Sequence, residues 1–108
     1  MDTPTLADVN IRGVAHRLIE KRLRRNSENV KQLQLELTLL DEQLAAMSDD
    51  ANEKEMRSLV SETPLALHEY RDAQKHVDAL LEHRDFLLRA IAEQTRNQDE
   101  LLDRLGKN

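Results

Sequence analysis

The sequence predicts an all-α fold: a long antiparallel, coiled-coil-like helical hairpin that assembles into a four-helix bundle or a higher oligomer. Three observations carry this. Apolar residues recur by alternating steps of three and four over most of the chain, the signature of a heptad. Charged residues make up 34% and aromatics 2% (Tyr70 and Phe86 alone), so a core would have to be built from leucine on long packed helices. Two Gly and two Pro leave too few turn formers for a sheet protein.

The 108 residues are read as one helical-hairpin domain. Helix one is expected over about residues 5–48. Thr3 with Pro4, or Thr5 with Asp8, supplies its N-cap. Its strongest stretch is VKQLQLELTLLDEQLAAM, in which Val30, Leu33, Leu37, Leu40, Leu44 and Met47 form the seam. Leu35 and Leu39 fall on the f and c positions, roughly opposite that seam at about 100° per residue, so this helix needs a neighbour on each side. Residues 32–39 also alternate strictly. Leu, Gln and Glu favour helix over strand, however, and the heptad phase continues on both flanks.

The segment SDDAN, residues 48–52, concentrates turn and cap formers, and Asn52 with Glu55 makes a capping box. The chain is therefore expected to reverse there, with helix two over about residues 53–106 and a kink or break at 63–64. Thr63-Pro64 suits either a kink or an N-cap followed by proline at N1. Met56, Leu59, Val77, Leu80, Leu87 and Ile91 extend the seam, while Leu67, Leu81, Leu88 and Leu102 widen the stripe. A turn at 48–52 pairs Leu44 with Met56 and Leu23 with Val77. It brings the polar intruders Asn26 near Gln74 and His16 near Arg84. On that register about ten C-terminal residues, carrying Leu101, Leu102 and Leu105, outrun helix one and need cover from another chain. Leu35, Leu39, Leu81, Leu88, Leu101, Leu102 and Leu105 are thus the candidate face for self-association or a partner.

The net charge of −5 disfavours a generic nucleic-acid binder. The absence of cysteine excludes disulfides and thiolate chemistry. No apolar run approaches a membrane span and the N-terminus does not read as a secretory signal, so the expected compartment is the cytoplasm. His68, Asp72 and His76 at i, i+4 and i+8 share one side of a helix as metal ligands do, but off the apolar stripe, where a solvated face explains them. The run Arg17, Lys21, Arg22, Arg24 and Arg25 is the densest basic patch. It could meet nucleic acid or an anionic membrane, although it lacks aromatics for base stacking, and Asp78, Glu82 and Asp85 are expected to neutralise it. No phosphate loop, nucleophile motif or Cys/His cluster is present, so no enzyme activity, cofactor or small-molecule substrate is expected.

Asp49 and Asp50 fall in the expected turn. A long antiparallel hairpin with paired acids at its tip resembles the secondary-channel regulators of bacterial RNA polymerase, the Gre and DksA type. The likeness covers the hairpin layout alone, without a counterpart of their globular or zinc-bearing domain. It implies RNA polymerase as partner and Asp49 and Asp50 as the acids that act at its catalytic Mg²⁺. The residues themselves favour a different function: a self-associating adaptor, scaffold or chaperone-like module, a homodimer in the first instance, that binds another protein.

Overall fold

The structure, a computed structural model, describes residues 6–106, and side chains from Ile11 onward. The proposed caps at Thr3, Pro4 and Thr5 lie outside the described residues, as does the side chain of Asp8. Two helices account for nearly all of what is described: α1, Leu6–Ser61, and α2, Pro64–Gly106. They form a helical hairpin with no strand among the described residues, and QLQLELTL lies inside α1. The chain divides into two units, Leu33–Ala90 and the paired segments Met1–Gln32 and Ile91–Asn108.

In the unit Leu33–Ala90 the reversal is at Glu62 and Thr63, not at 48–52. SDDAN is helical because it fits the heptad. Ala51 falls on the seam and is buried, Asp49 and Asp50 point outward, and Asp50 pairs with Lys54 one turn on at 3.0 Å. Asn52 is an exposed mid-helix residue and caps nothing. What ends α1 is Pro64, which lacks an N–H and drives the preceding residue out of helical geometry. Glu62 takes a left-handed φ of 51° while its N–H still donates to the Ser58 carbonyl at 3.1 Å. Thr63 then caps α2: its Oγ1 accepts from the Ala66 N–H at 3.2 Å, with Pro64 at N1. Of the two readings of Thr63-Pro64, the cap is the one formed.

Moving the turn slides the pairing by about three heptads. The core of this unit joins Ala51, Ala73 and Val77, with Leu44 and Met47 packed on them; Leu87 is fully buried and Leu40 nearly so. Arg84 Nε donates to Asp41 Oδ1 at 2.8 Å, and not to His16. Met56 and Leu59, assigned to the seam from sequence, are exposed. The α1 heptad continues past Met47 through Ala51, Lys54 and Ser58 instead, and those face inward.

In the unit built from 1–32 and 91–108, Asn26 is 7% exposed and its Nδ2 donates to Gln94 Oε1 at 2.6 Å. Gln74, the partner expected from sequence, belongs to the other unit. His16 instead contacts Glu20 on its own helix at 3.3 Å. Counted outward from the Asn26–Gln94 pair, α2 ends level with about residue 14, so the overhang belongs to the start of α1 and not to the C-terminus. Leu101 and Leu105 are accordingly half-buried on the seam side, and Leu102 is exposed.

Candidate interaction surface

The most conspicuous property of the surface is how much apolar side chain it carries. Six hydrophobic residues are buried, three of them alanines, whereas fourteen large ones are exposed among the described residues, so the chain's own seam leaves about half of its large apolar groups exposed. They fall into several groups.

The first is on the outer side of α1, where Leu35 and Leu39 are 54% and 56% exposed. Leu39 borders a shallow groove with Glu36, Gln43, Leu80 and His83, and the His83 ring stacks on Phe86 with centroids 6.2 Å apart. Leu81 and Leu88 are exposed too, but they stand roughly 160° and 140° from His83 around α2. The leucines grouped together from sequence therefore occupy two flanks of this unit, one on the Leu39–His83 side and one on the side of Arg84 and Asp41.

The second group surrounds the hairpin tip. Met56, Leu59, Val60 and Leu65 are all exposed, Val60 at 82%, and Leu59, Thr63, Pro64 and Leu67 line a shallow depression there. The sequence reading missed this patch because it placed the turn twelve residues too early and so put Met56 and Leu59 in the seam. Asp49 and Asp50, by contrast, lie within α1, eleven residues and more before its last residue Ser61. They form no tip, and Asp50 is paired with Lys54, so the layout behind the resemblance to the polymerase regulators is not built by these acids.

The third group is at the start of α1, where Ile11, Val14, Ala15 and Leu18 form a bare apolar strip. The basic residues Arg17, Lys21, Arg22, Arg24 and Arg25 follow it, all exposed, and none of the five forms an ion pair among the described residues. Asp78, Glu82 and Asp85, which sequence reasoning set beside them, belong to the other unit. The two units differ in charge as well. The unit holding this basic run carries ten Lys and Arg against eight Asp and Glu, whereas Leu33–Ala90 carries six against thirteen.

His68 and Asp72 contact at 3.3 Å on the exposed face of α2, and no cluster of three metal-type ligands occurs among the described residues. His76 lines a cleft of about 200 Å³ with Asp50, Lys54, Glu69 and Asp72, smaller than ordinary ligand pockets. Among the described residues no helix is long and apolar enough to cross a membrane. Comparison with protein families, with curated proteins and with solved structures finds no significant match to this chain.

Proposed function

We propose that the chain is a non-enzymatic interaction module: a helical hairpin that self-associates through its outward leucines and presents charged faces to a protein partner, as an adaptor, scaffold or chaperone-like protein does. The observation that carries this is the exposure of Leu35 and Leu39 opposite the seam, on a helix whose other side is already covered by α2. A helix with two apolar sides loses solvation free energy on the uncovered one until a second surface meets it. Fourteen large apolar residues exposed among the described residues, against Leu40, Val77 and Leu87 buried, point the same way.

Sedimentation equilibrium tests the reading. The wild-type chain is expected to form a dimer or larger species at tens of micromolar. Replacing Leu35→Glu together with Leu39→Glu is expected to return it to monomer while circular dichroism keeps most of its helix signal. A monomeric wild type at that concentration would overturn the self-association, leaving only a hetero-partner surface.

A further inference from the structure

The outer side of α1 is patterned along more than Leu35 and Leu39. Stepping by four and three from Val14, the same heptad phase picks out Leu18, Lys21, Arg25, Glu28, Gln32, Leu35, Leu39, Glu42, Ala46, Asp49, Glu53, Met56 and Val60. Every one of these positions is exposed, while the seam row of the same helix is turned inward from Ile19 to Ser58. Read from the N-terminus, the row runs apolar (Val14, Leu18), basic (Lys21, Arg25), mixed with two leucines at its centre (Glu28 to Ala46), acidic (Asp49, Glu53) and again apolar (Met56, Val60).

We infer that this row is an antiparallel, two-fold self-docking surface whose occupant is α1 of a second copy, in the register that sets Leu35 against Leu39. The inference rests on the self-association proposed above and adds its face, sense and register. That one register matches the row throughout: Val14 meets Val60, Leu18 meets Met56, Lys21 meets Glu53 and Arg25 meets Asp49, each pair occurring twice by symmetry. Glu28 then faces Ala46 and Gln32 faces Glu42, with no like charges opposed.

The alternatives are worse by the same rule. Slipping one heptad in one direction sets Val14 on Glu53 and Leu18 on Asp49. Slipping it in the other sets Glu28 on Glu53 and Lys21 on Val60. A parallel in-register pair stacks Lys21, Arg25, Glu28, Asp49 and Glu53 each on its own copy, and like charges directly opposed disfavour association. The basic run accordingly finds its counter-charges on the second copy, which neither unit's own seam supplies.

The cysteine-free chain makes the register testable. Arg25→Cys and Asp49→Cys variants, mixed under mild oxidation, are expected to cross-link to each other. Arg25→Cys alone is expected to stay uncross-linked, because its symmetry mate lies about 36 Å away along the helix. A parallel pair gives the reverse result.

Reversing Lys21→Glu and Arg25→Glu is expected to weaken the dimer about tenfold or more, and adding Glu53→Lys with Asp49→Lys in the same chain to restore it. Circular dichroism checks that each variant stays helical. A dimer that persists with no Arg25–Asp49 cross-link and no response to charge reversal would overturn this register while leaving self-association intact, with Leu81 and Leu88 as the next flank. A monomeric wild type would overturn both.

Discussion

Asn26 shows how one side chain can set the alignment of a helix pair at a cost in stability. Its Nδ2 is bonded to Gln94, but its Oδ1 is buried with no hydrogen-bond partner among the described residues. A buried acceptor left unsatisfied costs about 1–3 kcal/mol, more than one neutral hydrogen bond returns. Asn26→Leu is therefore expected to raise stability by about 1 kcal/mol in urea titrations, while amide exchange near residues 91–98 speeds up as alternative alignments become accessible. Unchanged stability would mean that water reaches the Oδ1. The sequence marks Asn26 as a polar intruder in the seam, and the structure buries it there. Its partner was not legible, because Gln74 and Gln94 lie about three heptads apart on the partly buried side of α2, and a heptad pattern chooses only weakly between such positions.

The same degeneracy governs the elements. Helix content, the seam phase of α1 from Val30 and that of α2 from Ala66 were all readable from spacing, since a three-heptad slide preserves each of them. The turn was not readable, because Asp, Ser and Asn suit caps but cost a helix interior only modestly, and a buried Ala51 with an Asp50–Lys54 pair keeps 48–52 helical. Proline acts more strongly, by removing a donor and restricting Thr63, and so Pro64 decides where the chain reverses. If so, stability should be concentrated at 62–64 and not at 48–52. Thr63→Ala is expected to cost about 1 kcal/mol through loss of the bond to the Ala66 N–H. Glu62→Gly is expected to add about 0.5–1 kcal/mol by relieving the left-handed φ. Thermal melts at one fixed protein concentration measure both, since association would otherwise move the midpoint. Asp50→Ala, by comparison, should change stability by less than about 0.5 kcal/mol, because it removes only a surface pair.

For the whole molecule, function turns on what covers the surface that the hairpin leaves bare. The apolar and charged residues involved were all visible in sequence, but their grouping was not: a misplaced turn put Met56 in the seam, and a slipped register put Asp78, Glu82 and Asp85 beside the basic run. With the observed turn, Arg17, Lys21, Arg22, Arg24 and Arg25 form no ion pair among the described residues, and the unit Leu33–Ala90 holds a large acidic excess. Two kinds of force should then act together in the assembly. Lys21–Glu53 and Arg25–Asp49 contribute attraction between solvated charges, which a Debye length falling from about 14 Å at 0.05 M salt to about 4 Å at 0.5 M largely removes. Val14–Val60, Leu18–Met56 and Leu35–Leu39 contribute apolar burial, which salt does not weaken. The dimer dissociation constant is thus expected to rise about tenfold between 0.05 M and 0.5 M NaCl and then level off, with helix content unchanged throughout. Sedimentation equilibrium across that series separates three cases. Tightening with salt would identify a purely apolar contact, such as one through Leu81 and Leu88. Complete dissociation would mean that charge alone holds the copies together. A tenfold weakening that reaches a plateau is the behaviour of a surface whose leucines bind and whose charges align.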